Sequence, residues 1–234
     1  EGPHIIEESG TYGMIDVTNE LTVNVGEKDI EIVTNSLSVS GSGRIVVNRT
    51  GKGRLILYVT DQLKLSGSGK INSDGSYDDV YTYHTGAGPI QFGGSTVFNG
   101  SIYTRDAEVA LSGSGSITGH IITGGSSVNL SGNTQTVSRI IYAPEAALTI
   151  SSSVKSIGTV IVKSINLSGS AQIQFDDSMN LGFFDRLNQE EQITIVENGM
   201  PNAVILIDDN SDPSIVSYAA TLVEYVEKST GAIP

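Results

Sequence analysis

A short turn of the form apolar-Ser-Gly-Ser-Gly recurs along this chain and restricts the folds that it can adopt. The segments "LSVSGSGRI" (37–45), "LKLSGSGKI" (63–71) and "VALSGSGSI" (109–117) are nearly identical. The apolar residues that precede this turn or its degenerate forms are 26, 27, 19, 19, 20 and 17 residues apart, at Val39, Leu65, Phe92, Leu111, Leu130, Ile150 and Leu167. This spacing predicts a structural repeat of about 20 residues.

Two further apolar series run in step with the first. One follows the turn, at Ile45, Ile71, Val97, Ile117, Val137, Ile157 and Ile173, and the other precedes it, at Ile56, Tyr81, Ile102, Ile121, Ile140 and Val160. Each repeat therefore has three short apolar segments, and none of them has helical spacing. We predict an all-β fold, a single-stranded parallel β-helix of about seven coils with three strands per coil. Right-handed winding is expected, because parallel crossovers are nearly always right-handed.

The repeat occupies residues 36–177, and the segments on either side of it differ. Residues 1–35 contain extended pieces that indicate an N-terminal cap or an opening coil. Residues 178–234 contain two strand-like pieces and then an amphipathic segment with helical spacing. Pro213 lies in the first turn of this predicted helix. We predict a small C-terminal β/α cap, because an open solenoid end exposes backbone edges. Docking of a partner onto that helix is the alternative.

The first repeats are longer than the later ones. Their extra residues fall in two places, 46–54 and 72–88. We predict that both segments are loops that project from the solenoid. Function concentrates in such loops when a rigid scaffold displays them.

The Gly-Ser-Gly turn also allows two other interpretations. A phosphate-binding glycine loop requires a helix immediately after it, but here the next segment is another strand. A flexible linker would not carry apolar residues in phase with the repeat. A structural corner is therefore the preferred interpretation.

The charge of the chain excludes some partners. Thirteen Lys and Arg stand against 26 Asp and Glu, which gives a formal net charge of -13. We therefore expect no binding to nucleic acid or to anionic membrane surfaces.

The chain has no Cys and no apolar run long enough to span a membrane. Its first ten residues do not form a signal peptide, so we expect an export or anchoring segment upstream of Glu1.

Acidic residues near the second insertion raise the possibility of an enzyme. Glycoside hydrolysis needs two carboxylates about 5 to 9.5 Å apart. The candidates are Asp74, Asp78, Asp79 and His84, with Asp106 and Glu108 one coil later. Because no basic residue recurs at an equivalent position in the regular repeats, we favour a non-catalytic protein. We assign no catalytic residue, no metal ligand and no cofactor.

Tyrosines provide the other functional indication. Tyr58, Tyr81, Tyr83, Tyr103 and Tyr142 lie in or beside the third apolar series. Outward-facing rings would bind a glycan or a protein, whereas inward-facing rings would pack in the core. Both remain open, because a shift of one residue moves a side chain to the other face. The candidate ligand or partner surface is Asp78, Asp79, Tyr81, Tyr83, His84, Tyr103 and Asp106.

Several phrases carry a resemblance to a known group of bacterial proteins. "LYVTDQLKLSGSG", "IYAPEAALTIS" and "VIVKSINLSGSAQIQFD" resemble the β-helical domain of type IV pilus-associated or other secreted surface proteins, over roughly residues 50–180. The Ser-Gly units are also similar to the head domain of autotransporter adhesins and, more distantly, to bactofilin filaments. The resemblance implies an extracellular or cell-surface module with a structural or adhesive role. A carbohydrate-binding or polysaccharide-degrading β-helix protein is the alternative.

Overall fold

The repeat winds into a parallel β-solenoid. The computed structural model describes residues 4–137, 140–174, 196–197 and 200–201. The chain divides into two compact units, Glu1–Asn180 and Leu181–Pro234. Strands β1 to β20 all lie in the first unit, and all of their pairings are parallel. No helix among the described residues is long and apolar enough to cross a membrane.

Face 1 of the solenoid is a nine-stranded sheet to which every coil contributes one strand. Its strands, in spatial order, are β1 (His4–Ile6), β3 (Glu20–Val25), β5 (Arg44–Arg49), β7 (Lys70–Ile71), β10 (Val97–Asn99), β13 (Ser116–Thr118), β16 (Gln135–Val137), β18 (Lys155–Ile157) and β20 (Gln172–Gln174). Neighbouring strands in this sheet come from successive coils, so each coil contacts only the coil before it and the coil after it.

Faces 2 and 3 together form an eleven-stranded sheet. Five long strands run through both faces: β2 (Gly10–Val17), β4 (Ile30–Val39), β6 (Leu55–Leu65), β17 (Ile140–Ile150) and β19 (Thr159–Leu167). In the three coils between β6 and β17, a loop separates the two faces. There face 2 contains β8 (Val80–His84), β11 (Ser101–Thr104) and β14 (Ile121–Thr123), and face 3 contains β9 (Ile90–Phe92), β12 (Val109–Leu111) and β15 (Ser127–Leu130). The predicted three strands per coil are thus distinct in the middle coils and merge into two elsewhere.

The solenoid has eight coils, followed by the single strand β20. The sequence repeat indicated about seven, because the first coil lacks the Ser-Gly turn. Val17 pairs with Val39 and occupies the same position in its coil, but Thr18 and Asn19 follow it. We predicted a cap or an opening coil at residues 1–35; the strands of the first two coils lie at residues 4–39 and so include most of that segment.

The first apolar series is confirmed in full. Each of its members pairs with the next one across coils, from Val39 and Leu65 through to Ile150 and Leu167. From Val39 to Ile150, these side chains are at most 2% exposed and line the inside of face 3.

The third series is shifted by one residue at three positions. Ile56, Tyr81 and Ile140 lie beside the inward column, which is Ile32, Leu57, Thr82, Ile102, Ile121, Ile141 and Val160. Similar shifts occur at three positions on face 1. The column that contains Ile45, Ile71, Ile117 and Ile173 continues through Phe98, Thr136 and Ser156, rather than through Val97, Val137 and Ile157. Adjacent apolar residues such as Ile56 and Leu57 explain the shift, because either could face inward.

Glycine at the corner between face 3 and face 1 is required by the backbone. Gly113 has a φ of 89°, in the left-handed region that side chains rarely adopt. A Cβ atom at this position would also overlap with the carbonyl oxygen of Gly94 in the coil below. Left-handed residues recur at this corner, at Gly41, Gly67, Gly94, Gly113, Gly132, Ser152 and Gly169. The Gly-Ser-Gly turn is therefore a structural corner.

The two insertions contain more regular structure than we predicted. Residues 46–49 belong to β5 and pair with β3, so only residues 50–54 form a turn. Within 72–88, a 3₁₀ helix (Tyr77–Asp79) leads directly into β8. The prediction that all of 46–54 and 72–88 are projecting loops was wrong, because both segments continue the ladders of the coils beside them.

The second unit is described only at two short strands. These are β21 (Val196–Glu197) and β22 (Met200–Pro201), which pair in the antiparallel direction. The predicted amphipathic helix of the C-terminal cap lies outside the described residues.

Candidate functional site

The strands of face 2 determine which tyrosines reach solvent. Along β8, Val80, Thr82 and His84 are buried, whereas Tyr81 and Tyr83 alternate with them on the outside. Tyr83 is 37% exposed. Strand pairing places Tyr83 between Tyr58 and Tyr103, so all three project from the same outer position of successive coils.

These outward rings form a stacked ladder. The ring centroids of Tyr58 and Tyr83 are 5.4 Å apart, and those of Tyr83 and Tyr103 are 5.1 Å apart. Their planes differ by only 19° and 22°. Tyr81 stacks on Tyr103 as well, with centroids 6.0 Å apart. Pairs of this geometry each contribute roughly 0.5–1.5 kcal/mol beyond the area that they bury.

Apolar side chains extend the same row over most of the solenoid. We call this row the outer column; it consists of Val33, Tyr58, Tyr83, Tyr103, Ile122, Tyr142 and Ile161. Tyr142 is 43% exposed and Ile161 is 48% exposed. With strands about 4.8 Å apart, its six steps cover about 29 Å. A solvent-facing apolar row of this length is uncommon on a monomeric soluble domain.

Stacking limits which ring faces of the ladder a ligand can contact. Both faces of the Tyr83 ring are covered, by Tyr58 on one side and Tyr103 on the other. The row beyond Tyr103 continues with Ile122, which has no ring. One face of the terminal Tyr103 ring is therefore left without an aromatic neighbour in the row.

The interior of the ladder is partly shielded from water. Burial raises the pKa of the Tyr103 phenol above its ordinary value of 10.0, and the nearby phenols of Tyr81 and Tyr83 raise it further. A hydrogen bond with the Ser101 side chain acts in the opposite direction. At neutral pH the Tyr103 phenol is therefore uncharged.

Arg54 lies at the edge of the ladder. Its guanidinium carbon is 5.1 Å from the centre of the Tyr81 ring, which is within the range of a cation–π contact. Arg54 precedes β6 and its backbone N–H donates to Asp29. Arg54 is 27 residues before Tyr81 in the sequence (81 − 54), which explains why the sequence did not indicate this contact.

The insertion before β8 is held in place by side-chain amides. Asn72, which has a φ of 54°, donates to the carbonyl oxygens of Ser76 and Asn99 at 2.7 and 3.1 Å. Asn99 in turn donates to the carbonyl oxygen of Ser73 at 3.0 Å. These bonds fix the segment against the next coil, so it is an ordered part of the scaffold.

Asp79 has a structural role in this segment. One of its carboxylate oxygens accepts from the backbone N–H of Ser76 at 2.7 Å, which completes a capping box on the 3₁₀ helix. The other oxygen forms an ion pair with Arg49 at 2.8 Å. Asp79 is 8% exposed, so both of its oxygens are engaged and little of it is accessible to a ligand.

His84 lies inside the solenoid. Its side chain is 1% exposed, and its Nε2 atom is 2.9 Å from the carbonyl oxygen of Asp61. It occupies the corner between face 2 and face 3 and bonds to the backbone of the coil below. Almost none of this imidazole is exposed to a ligand on the outer surface of face 2.

The remaining predicted acids flank opposite ends of face 2. Asp78 precedes β8, and Asp106 follows β11 with its carboxylate paired to Arg105 at 2.7 Å. The five residues of β8 extend about 16 Å, so the ends of this face are farther apart than a glycosidase pair. Among the described residues, no three His, Asp or Glu side chains are grouped as a metal ion would require.

An open hollow lies on face 2 beside the terminal ring of the ladder. Its volume is about 320 Å³, and it is lined by Tyr83, His84, Thr85, Tyr103, Thr104, Arg105 and Ile122. Three of the predicted site residues, Tyr83, His84 and Tyr103, thus line one hollow, although His84 is almost fully buried. Ile122 and Arg105 were not among the predicted residues, because only the strand register brings them beside the tyrosines.

Comparison with known proteins identifies a family for this chain. A model of a domain of unknown function, DUF7305, matches residues 3–135 and 120–181. No curated protein and no solved structure matches the chain. The two matched segments overlap at residues 120–135 and together cover the whole of the described solenoid. The chain therefore belongs to the DUF7305 family.

Proposed function

We propose that this protein is a non-catalytic structural or adhesive module that binds its partner through face 2. The outer column carries the proposal, because it places aromatic and aliphatic side chains in a continuous row on a solvent-facing sheet. Exposed apolar rows of this size mark interaction sites. The parallel ladders beneath the row hold its members at fixed spacing, so a ligand would meet a preorganised surface.

The contacts and positions of the acidic residues support a non-catalytic role. Asp79 caps a 3₁₀ helix and pairs with Arg49, and Asp106 pairs with Arg105. Asp78 and Asp106 lie at opposite ends of the face. The polysaccharide-degrading alternative needs two carboxylates on either side of one glycosidic bond, and this arrangement does not favour it.

An extracellular or cell-surface location is part of the proposal, as is an association with pili. Both rest on the resemblance of the Ser-Gly coils to surface proteins. Fractionation of the native cells, followed by detection with an antibody against the solenoid, tests the location. Recovery of the intact protein from the cytoplasm alone would contradict it.

Paired variants on two faces of the same coils test the binding role. Tyr83→Ser with Tyr142→Ser removes two members of the outer column, and Asn129→Ser with Thr149→Ser makes an equivalent change on face 3. We expect the first pair to reduce adhesion of the purified protein to native cell envelopes about tenfold or more, with the second pair unchanged. Equal adhesion of both pairs would contradict the proposal.

A polysaccharide digestion assay tests the absence of catalysis. The protein is incubated with neutral and acidic polysaccharides, and new reducing ends or unsaturated products are measured. We expect no release above the buffer control. Release that Asp78→Asn or Asp106→Asn abolishes would replace the binding proposal with an enzymatic one.

A further inference from the structure

Ile122 interrupts the aromatic residues of the outer column between Tyr103 and Tyr142, and the gap has the size of a ring. Tyr103, Ile122 and Tyr142 occupy the same position in three successive coils. With a strand spacing of about 4.8 Å, the two tyrosine positions are about 9.6 Å apart. A ring placed midway would lie about 4.8 Å from each position, close to the 5.1 Å found between Tyr83 and Tyr103. We call this gap above Ile122 the slot.

The surroundings of the slot describe the ligand that would fill it. Ile122 supplies an apolar floor and Tyr103 supplies an apolar wall, whereas Thr85 and Arg105 place polar groups at the rim of the hollow. An apolar ring face with hydroxyl groups around its edge matches this arrangement, and sugar rings have that character. The hollow of about 320 Å³ is at the lower end of the range of ligand sites.

The charge at the rim favours a neutral sugar. Arg105 is the cation that lines the hollow, and its Nε atom is paired with Asp106 at 2.7 Å. The pair leaves no net positive charge to attract a carboxylate. Tyr103 adds no charge at neutral pH, because burial raises its pKa.

We propose that the slot binds one pyranose ring of a neutral glycan, stacked on Tyr103 above Ile122. This inference rests on the proposed function and specifies the partner of face 2. It uses a single free ring face rather than the ladder, because the internal rings of the ladder are already covered on both sides.

Filling the slot from within the chain is the sharpest test. Ile122→Tyr supplies the missing ring, and Ile122→Val is the matched control that leaves the slot open. The probes are cello-, manno- and chito-oligosaccharides, with oligogalacturonides as the acidic comparison, measured by calorimetry and by ligand-observed saturation-transfer spectroscopy on the whole chain. We expect one neutral series to bind, and Ile122→Tyr to weaken that binding about tenfold or more. Ile122→Val should remain within about twofold of wild type.

Two further variants separate the slot from the ladder. Tyr103→Ala should weaken binding of the neutral oligosaccharide about tenfold, whereas Tyr58→Ala, at the other end of the ladder, should change it less than about threefold. Circular dichroism and thermal melting confirm that each variant is folded. Ile122→Tyr should melt no lower than wild type, because it completes a stack.

The possible failures can be distinguished. Binding of none of the neutral probes, preference for the acidic probes, or unchanged binding by Ile122→Tyr would overturn the slot. If the Tyr83 and Tyr142 variants still lose adhesion to cell envelopes in that case, the proposed function stands with a different partner. If adhesion is also unchanged, both proposals fail.

Discussion

Faces 2 and 3 of the solenoid are alike on the inside and different on the outside. Inside, face 2 carries residues such as Ile102 and Ile121, and face 3 carries residues such as Leu111 and Leu130, all almost fully buried. Outside, face 2 presents the outer column. Face 3 presents mostly small or polar side chains at its equivalent row: Lys64, Gln91, Ala110, Asn129, Thr149 and Asn166.

The difference separates two kinds of constraint on this sequence. The inward positions must be apolar on every face, because each coil is stabilised by burial against its two neighbours. The outward positions are free of that requirement, and on face 3 they are polar in the way that solvent favours. The aromatic character of face 2 is therefore not needed for folding, which is why we assign the function to it.

The largest effect is expected at the corner between face 3 and face 1. Gly113→Ala would place a Cβ atom against the Gly94 carbonyl oxygen and strain a φ of 89°. We expect the free energy of unfolding to fall by more than about 4 kcal/mol, measured by urea denaturation. Gly41→Ala is the control: it has a φ of 62° but open space around its Cβ position, so strain alone should cost about 1 kcal/mol. Equal losses in the two variants would show that the overlap with the neighbouring coil does not add to the cost of backbone strain.

The next largest loss of stability is expected on the inside of face 2, and an exposed position on the same face provides the comparison. Ile102→Ala removes a fully buried side chain and should lower the free energy of unfolding by about 2–4 kcal/mol. Ile161→Ala, at a position 48% exposed, should cost less than about 1 kcal/mol. A comparable loss at Ile161 would mean that the outer column is needed for stability, and the separation of the two constraints would fail.

A third effect tests whether Asp79 belongs to the scaffold. Asp79→Asn removes the charge that pairs with Arg49 and weakens the capping box, so we expect a loss of about 1–3 kcal/mol. Asp106→Asn breaks an exposed pair and should change stability by less than about 0.5 kcal/mol. Denaturation curves of both variants check this order, and the reverse order would place Asp106 rather than Asp79 in the scaffold.

A smaller effect is expected within the ladder. Tyr83→Ser removes two ring contacts and should lower stability by about 1–2 kcal/mol, whereas Asn129→Ser on face 3 should stay within about 0.5 kcal/mol of wild type. Thermal melting of the two variants sharpens the comparison of the two outer surfaces. If Tyr83→Ser has no measurable cost, the stack is held only by the strands beneath it.

The smallest effect is in the response to alkaline pH. The pKa of Tyr103 is raised in the folded chain, so its contribution to stability is present below pH 10.0 and is lost as the pH rises through the folded value. Ultraviolet titration of the phenols should show one late-titrating tyrosine that Tyr103→Phe removes. Tyr142→Phe is the control, and loss of the late phase there instead would contradict the assignment.

The sequence predicts the solenoid well because its constraints repeat. The column from Val39 to Leu167 was predicted at every position, since a large apolar residue must precede each corner. Register failed where two apolar residues are adjacent, as at Ile56 and Leu57, because periodicity alone cannot choose between them. The first coil was not counted, because Thr18 and Asn19 replace the Ser-Gly turn after Val17.

The candidate site was predictable only in part. Tyr81, Tyr83 and Tyr103 were identified from their composition and position, and the structure places them on one surface. The burial of His84 and the ion pair of Asp79 depend on contacts between residues 23 and 30 positions apart, which no local pattern reports. The slot depends on the absence of a ring at Ile122, and an absence becomes visible only when the neighbouring coils are aligned.

The corner column also bears on how such a chain can lengthen during evolution. Leu111 and Leu130 occupy the same position one coil apart, so duplication of the 19 residues between them would add one complete coil in register. The copy would bring its own glycine, its own inward residues and its own outer-column member. Natural variation in length would therefore occur in whole coils. Each added coil would move the slot along the solenoid axis by about 4.8 Å or create a second slot.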